Sequence, residues 1–125
     1  NNNLKNKNIA FLGVTFKAGT DDMRESPSLK IIPKLIKKGS LIKYYEPTGA
    51  KKEFNKLKNI KYCAKIRDAC EHSDLLIIHT EWNDFKQLNF KNLVGKKNFK
   101  IYDMRNLYSL IDMKKNKINY FCVGR

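Results

Sequence analysis

Arginine is scarce in a chain whose positive charge comes mainly from lysine. The sequence has 26 Lys and Arg residues, of which 22 are lysine. The four arginines are Arg24, Arg67, Arg105 and Arg125. A guanidinium group can form two parallel hydrogen bonds with a phosphate or a carboxylate, which an ammonium group cannot. An arginine kept against a lysine background therefore indicates a bound anion or an ion pair.

Arg24 and Arg105 each lie in a polar segment that follows a predicted strand. Lys17 precedes Arg24 in the same segment and adds a point charge. The segments that follow the predicted strands are residues 15–26, 46–47, 80–82 and 103–106. The residues alone leave two interpretations open, which are anion binding and an ion pair with a nearby acid such as Asp21.

Six apolar runs predict the strands that would position these segments. They are residues 9–14, 41–45, 60–63, 75–79, 99–102 and 118–123. Helical patterns alternate with them at 26–39, 51–58 (solvated) and 66–70, and residues 107–115 fit either a loop or a helix. This alternation predicts an α/β fold, a three-layer Rossmann-like domain with a mainly parallel sheet. Ligands of such sheets bind beyond the carboxyl ends of the strands, where the polar segments lie.

The first helix carries clear start and stop signals. Ser26 is predicted to cap it, with Pro27 at the first helical position, where a missing N–H costs nothing. Gly39 is predicted to end the helix, and Pro33 to kink it or loosen its early turns.

The segment after the first strand lacks the dinucleotide-binding fingerprint. That motif needs Gly-x-Gly-x-x-Gly, whereas Gly13 is followed by no glycine until Gly19. The predicted helix also begins about a dozen residues after Gly13, too far for a tight pyrophosphate turn. The pattern therefore disfavours an independent NAD-binding domain.

The net charge of +14 suggests a polyanionic partner, but the composition offers another explanation. Residues encoded by AT-rich codons (Lys, Asn and Ile) are abundant, and the lysines are spread along the chain. A nucleic-acid-binding protein is expected to use more arginine. Codon bias and a functional basic surface both stay open, and we predict no nucleic-acid partner.

No segment predicts a membrane span, because the longest apolar run is the four residues Leu75–Ile78. The first residues do not resemble a signal peptide and suggest a cut inside a longer protein. We predict a flexible segment at 1–7, a single domain at 8–125, and no membrane partner.

The cysteines and histidines show no catalytic or metal-binding spacing. The three cysteines, predicted to fill the core, are Cys63, Cys70 and Cys122. This odd, unpaired set indicates a reducing compartment such as the cytoplasm. His72 and His79 are too isolated to predict a zinc site, and Trp82 is predicted to pack on the core rather than on a ligand.

The polar segments resemble the motifs of one enzyme family. Residues 13–28 closely resemble the opening motif of the C-terminal, UDP-binding domain of the UDP-glucose 6-dehydrogenase family. Residues 45–47, 80–82, 103–106 and 124–125 resemble its later motifs in the right order. Two positions depart from the pattern: Glu46 replaces an aspartate, and Cys122 stands where the closing Gly-x-Gly-Arg would have its first glycine. The resemblance covers residues 8–125 and implies that they form a UDP-sugar-binding domain.

The resemblance implies roles for four residues. Phe16 and Lys17 fall on substrate-binding positions that contact the UDP-sugar, and Arg105 falls on the arginine that binds the uridine diphosphate portion. Arg24 falls on a cofactor-binding arginine that reaches NAD held mainly by another domain. No catalytic residue is implied in this segment, because the family's nucleophilic cysteine belongs to another part of the enzyme.

The family enzymes oxidise UDP-glucose to UDP-glucuronate with NAD. The resemblance implies that this chain is part of such an enzyme, that the enzyme is cytoplasmic, and that this part is inactive by itself. The full-length protein would form a homodimer or a larger assembly. The alternatives are another UDP-sugar or GDP-mannose dehydrogenase of the family, and a non-catalytic, stand-alone nucleotide-binding module.

Overall fold

A parallel six-stranded sheet organises the computed structural model, which describes residues 3–124. The strands are β1 (Asn8–Leu12), β2 (Leu41–Tyr45), β3 (Ile60–Tyr62), β4 (Leu75–Ile78), β5 (Lys100–Asp103) and β6 (Asn119–Cys122). The helices are α1 (Ser28–Lys37), α2 (Ile66–Cys70), α3 (Phe90–Val94) and α4 (Leu110–Lys115). The strand order is β3-β2-β1-β4-β5-β6, and every neighbouring pair is parallel. The predicted α/β class is confirmed.

The two uniformly apolar runs form the central strands. β1 pairs with β4, so that Ile9 lies opposite Leu75 and Leu12 opposite Ile78. Both strands also have a neighbour on their other side. In the middle of a parallel sheet, helices cover a strand on both faces, which is why its sequence does not alternate between apolar and polar residues. The edge strands β3 and β6, by contrast, are partly exposed.

Alternate residues of β1 face two separate cores, which produces the three layers. Ile9 and Phe11 pack with Ile32 of α1 on one face of the sheet. Ala10 and Leu12 belong to the core on the other face, which α2 and α3 cover. Helix α1 is thereby packed on one face of the sheet, and α2 and α3 on the other.

Helix α1 begins one residue later than predicted, but Ser26 does cap its start. The helix begins at Ser28, and Pro27 occupies the N-cap position rather than the first helical one. The Ser26 hydroxyl accepts the amide of Ser28, the first helical residue, at 3.3 Å, as a capping side chain does, and it donates to the Val14 carbonyl oxygen at 2.6 Å. Pro33 lies inside α1, which continues past it to Lys37, shortly before the predicted stop at Gly39.

The helix predicted at 51–58 is wrong. The structure has only a 3-10 turn at Lys52–Phe54 there. Lys52 and Lys56 would lie one above the other on a helix, and like charges at this spacing destabilise it. Phe54 is nevertheless buried and Leu57 packs against the same core, as the pattern predicted.

The cysteine prediction is confirmed for two of the three residues. Cys63 and Cys70 are buried in the core. Cys122 is only half-buried, because it lies on the edge strand β6. Core filling is therefore wrong for Cys122.

The segment that precedes β1 lies beside the loop that leads into β2 and is hydrogen-bonded to it. The Asn6 amide donates to the Gly39 carbonyl oxygen at 2.9 Å, and the Ser40 hydroxyl donates to that of Leu4 at 3.1 Å. The flexibility of residues 1–7 stays a prediction, and Arg125 lies outside the described residues. Among residues 3–124, no helix is long and apolar enough to cross a bilayer.

Candidate functional site

The polar segments that follow β1, β2, β4 and β5 meet at one edge of the sheet, because all the strands run in the same direction. Chain connections leave β1 and β4 towards opposite sides of the sheet. In open α/β sheets this divergence opens a crevice at which ligands bind. The candidate site is therefore centred on the carboxyl ends of β1 and β4.

Gly13 and Thr80 form the junction between these two strand ends. Gly13 has φ +80°, and a Cβ atom added there would lie 2.6 Å from the Cβ of Thr80. The Thr80 hydroxyl donates to the Thr15 carbonyl oxygen at 3.0 Å. This close approach requires glycine, and it fixes the loop after β1 to the end of β4.

His79 completes a hydrogen-bond relay at this junction. Its Nδ1 lies 2.9 Å from the Thr80 oxygen, whose own hydrogen goes to Thr15. Nδ1 must therefore be the donor, so the ring is the neutral tautomer protonated at Nδ1. Burial lowers the pKa of His79 to about 4, and the positive charge of Arg105 contributes. Its Nε2 atom is buried and has no hydrogen-bond partner among the described residues.

The buried His79 makes stability depend on pH. Its ordinary pKa is 6.5 and its folded value is about 4, so between these values the unfolded chain binds a proton that the folded chain refuses. The free energy of unfolding should fall as the pH falls through this window, by about 3 kcal/mol in total. Urea unfolding at several pH values measures this loss.

Two variants assign this pH dependence to His79. The His79→Asn variant keeps a donor near the Thr80 hydroxyl but cannot titrate, so we expect it to flatten the curve between pH 6.5 and 4. The matched change His72→Asn, at the exposed histidine, should leave the slope unchanged. An unaltered slope in the His79 variant would contradict the assignment.

Glu46 fixes the loop after β1 from the other side. Its carboxylate is fully buried, and Oε1 accepts the amides of Val14 at 2.9 Å and Thr15 at 3.2 Å. Oε2 accepts the amide and the hydroxyl of Thr48 at 3.0 and 2.8 Å. A buried carboxylate needs several donors of this kind, and Glu46 has four.

The loop held in this way presents Phe16 and Lys17 outward. Thr15 is fully buried, whereas Phe16 is 46% exposed and Lys17 is exposed. The Phe16 amide donates to the Asp22 carbonyl oxygen at 2.9 Å, and the Thr15 hydroxyl donates to that of Lys17 at 3.1 Å. The loop thus has a fixed backbone with an aromatic ring and an ammonium group on its surface.

Asp103 plays the same part for the loop that carries Arg105. Its carboxylate is fully buried at the end of β5, and Oδ1 accepts the Arg105 amide at 3.0 Å. Oδ2 accepts the amides of Leu107 at 2.7 Å and Tyr108 at 3.1 Å, and the Tyr120 hydroxyl at 2.7 Å. The backbone that carries Arg105 is therefore tied to the sheet.

Arg105 and Arg24 both form ion pairs with acids at this edge. Nη2 of Arg105 lies 3.1 Å from Oε1 of Glu81, which follows β4. Arg24 pairs with Asp22 at 3.1 Å, rather than with Asp21, and its side chain is 89% exposed. Hydrogen bonds from the Arg24 side chain and backbone lower the pKa of Asp22. Both guanidinium groups keep exposed surface that could meet an anion.

The geometry agrees with the comparisons to known proteins. A sequence profile described as "UDP-glucose/GDP-mannose dehydrogenase family, UDP binding domain" matches residues 10–110. The chain belongs to this family. A UDP-glucose 6-dehydrogenase of Rickettsia typhi is 43% identical over 125 residues, which cover 97% of this chain and 29% of that protein. One from Bacillus subtilis is 35% identical, over 95% and 28% of the two chains.

Solved structures share the fold. The crystal structure of NDP-N-acetyl-D-galactosaminuronic acid dehydrogenase from Methanosarcina mazei superposes with a TM-score of 0.84 at 19% identity. The match covers 98% of this chain and 26% of the other. The chain therefore spans less than a third of the length of the relatives that it matches.

Within residues 3–124, the start of α1 does not form a pyrophosphate cradle. The hydroxyls of Ser26 and Ser28 both donate to the Val14 carbonyl oxygen at 2.6 Å, in front of α1. The first amides of α1 already have acceptors, because Leu29 and Lys30 donate to Ser26 and Pro27. A dinucleotide phosphate needs free amides at a helix start, so these residues do not fit NAD as its main site.

Two further observations concern metal binding and the single tryptophan. Among the described residues, no cluster of three or more His, Cys, Asp or Glu side chains is arranged to hold a metal ion. Trp82 packs against the core, which confirms the sequence prediction, and its buried indole N–H has no partner within residues 3–124.

The sequence did not predict which groups hold the loops after β1 and β5. No positioning role was predicted for Glu46, Asp103, His79 or Thr80, although positions 46, 80 and 103 lie in segments that resemble the family's motifs. Their signal was an acid or a hydroxyl placed directly at a strand end, where backbone amides of neighbouring loops need acceptors.

Proposed function

We propose that this chain binds the UDP portion of a UDP-sugar, as part of an NAD-dependent UDP-glucose 6-dehydrogenase that oxidises UDP-glucose to UDP-glucuronate. The observation that carries the proposal is the pair of loops fixed by the buried carboxylates of Glu46 and Asp103. They present Lys17 and Arg105 at the carboxyl edge of the sheet. The relatives named UDP-glucose 6-dehydrogenase cover nearly all of this chain.

In this proposal the two loops divide the recognition of the nucleotide sugar. Arg105 binds the diphosphate as a planar donor, and Lys17 adds a point charge to the same anion. The exposed ring of Phe16 supplies an apolar contact. Arg105 would exchange part of its bond with Glu81 for the diphosphate, because both side chains are accessible at this edge.

Arg24 is proposed to contact NAD that another part of the full-length protein holds. The segment around it forms no cradle, but its side chain is 89% exposed and Asp22 orients the guanidinium group outward. Binding energy from the remote nucleotide would position the sugar for oxidation elsewhere in the enzyme.

The chemical step is proposed to need residues outside this chain. Burial raises the pKa of the Cys70 thiol to about 12, and burial also raises that of Cys63. Neither can supply a thiolate nucleophile near neutral pH. The family resemblance also implies no catalytic residue in this segment. We expect this chain to bind nucleotide without oxidising the sugar, and the full-length enzyme to be a cytoplasmic homodimer or a larger assembly.

Titration calorimetry with UDP tests the substrate site. Replacing Arg105 by alanine should weaken UDP binding roughly tenfold to a hundredfold, the loss expected for a charged hydrogen-bonded contact. Arg67→Ala provides a matched control, because Arg67 is exposed and bonds to Asn92 between α2 and α3. That variant should bind UDP as the unsubstituted chain does.

Two results would contradict the proposal. Equal UDP affinities for the Arg105 and Arg67 variants would remove Arg105 from the site. Tighter binding of GDP than of UDP would assign the chain to a GDP-sugar enzyme instead.

A further inference from the structure

A cavity lies at the amino ends of the strands, opposite the candidate site. It has a volume of about 670 Å³ and is lined by the first residues of three strands, Leu75, Lys100 and Asn119. Because the strands are four residues long, the two edges are roughly 13 Å apart. The cavity is large enough for a small molecule and separate from the proposed nucleotide site.

Five exposed lysines converge on this cavity. They are Lys7, Lys91, Lys97, Lys100 and Lys117. In the sequence they are separated by up to 110 positions, so their clustering is produced by the fold. The parallel sheet brings together the segments that precede β1, β4, β5 and β6. Codon bias would account for an abundance of lysine but would not place five of them around one concavity.

The acid in this lining offsets only part of the lysine charge. Asp74 is the one carboxylate among the lining residues. Its Oδ2 accepts the Asn8 amide at 2.8 Å, and its Oδ1 accepts the Lys96 ammonium. Lys96 is not one of the five, and Lys7 also lies near enough to lower the pKa of Asp74. One carboxylate thus faces six ammonium groups, so the cavity stays positively charged.

Apolar side chains in the lining strengthen the attraction between the lysines and an anion. Leu4, Leu75 and Ile118 line the cavity together with Phe99, which is buried. Apolar walls lower the local dielectric response and so increase the attraction between the ammonium groups and an anion. The other polar side chains of the lining, Asn3, Asn98 and Asn119, are uncharged and do not neutralise the lysines.

We propose that this cavity binds a small polyphosphate, an anion with several phosphate charges. Lysine ammonium groups act on phosphate as point charges and need no fixed planar geometry. The concave shape favours a compact anion over a nucleic-acid duplex, which needs an extended surface. This inference does not depend on the proposed nucleotide site, because the residues involved lie at the other edge.

Titration of the chain with inorganic tripolyphosphate, at about 150 mM NaCl, tests this proposal. We expect saturable binding that the double change Lys97→Glu and Lys100→Glu weakens at least tenfold. The control is Lys52→Glu with Lys86→Glu, two exposed lysines outside the cavity that change the net charge by the same amount. The control should bind within about twofold of the unsubstituted chain.

Chemical-shift changes in the unsubstituted chain locate the anion independently of any variant. The amides of Leu75 and Ile118 should shift on adding tripolyphosphate, whereas that of Arg105 should not. Excess UDP should leave the tripolyphosphate affinity unchanged.

Three outcomes would overturn the inference. Equal weakening by both double variants would show attraction to net charge alone. Displacement of tripolyphosphate by UDP would place it at the carboxyl edge. The absence of shifts at Leu75 and Ile118 would show that the cavity is not the site.

Discussion

Replacing Asp103 by alanine should lower the free energy of unfolding by about 4 kcal/mol. The carboxylate is fully buried and accepts four hydrogen bonds, three of them from the backbone of residues 105–108. Alanine would remove the acceptor of the three backbone amides, a loss that exceeds the value of a surface bond. Urea unfolding of the variant measures the change directly.

The conservative variant Asp103→Asn separates loop positioning from overall stability. An amide has only one acceptor oxygen, which would serve the Oδ2 side, where three donors converge. Its NH₂ group would then face the Arg105 amide and push that backbone away. We expect a smaller loss of stability than for alanine, but a weakening of UDP binding if the proposed site is correct.

A matched control for both changes is Asp68→Ala, since Asp68 is exposed on α2. It should alter the free energy of unfolding by less than about 0.5 kcal/mol. If Asp103→Ala unfolded at the same urea concentration as the control, the buried carboxylate would not be holding this loop.

Replacing Gly13 by alanine should cost about 4 kcal/mol or more of stability. A methyl group there would lie 2.6 Å from the Cβ and 2.8 Å from the hydroxyl oxygen of Thr80, and 3.1 Å from its amide nitrogen. The residue also has φ +80°, which costs an L-residue about 1–2 kcal/mol. Either β1 and β4 must separate at their ends or the relay through Thr80 must break.

Gly19→Ala isolates the backbone contribution. Gly19 has nearly the same φ, +82°, but nothing lies within 4 Å of an added Cβ. It should therefore show only the conformational cost, about 1 kcal/mol. The difference between the two variants measures the close contact at the junction.

A double substitution tests whether the contact with Thr80 causes the loss of stability. Adding Thr80→Gly to Gly13→Ala removes the atoms that clash, so the pair should be less destabilised than the sum of the two single changes. Additive losses, or a Gly13 variant no worse than the Gly19 one, would show that the Thr80 contact does not limit stability.

The central sheet was predictable because its signal is local. The apolar runs at 9–14 and 75–78 carry no polar alternation, and they form the two strands covered on both faces. The helix predicted at 51–58 does not form. The burial predicted for Phe54 and Leu57 is confirmed, but repulsion between neighbouring lysines, which is also a local effect, opposes a helix there.

The arginines could be singled out from composition, but their partners could not. Arg24 pairs with Asp22, two residues away, rather than with Asp21 as spacing suggested. Arg105 pairs with Glu81, which belongs to another strand end. Only the order of the strands decides which of the charged segments become neighbours.

The sequence by itself determined that lysine supplies the charge and that Lys17, Arg24 and Arg105 follow predicted strands. The tertiary structure decided which groups hold these residues and which lysines gather. Glu46 meets Val14 across 32 positions and Thr80 meets Thr15 across 65, while five scattered lysines surround one cavity. Hydrogen bonds and charge attraction act over a few ångströms in space, so contacts between distant positions exist only once the parallel sheet has brought the strand ends together.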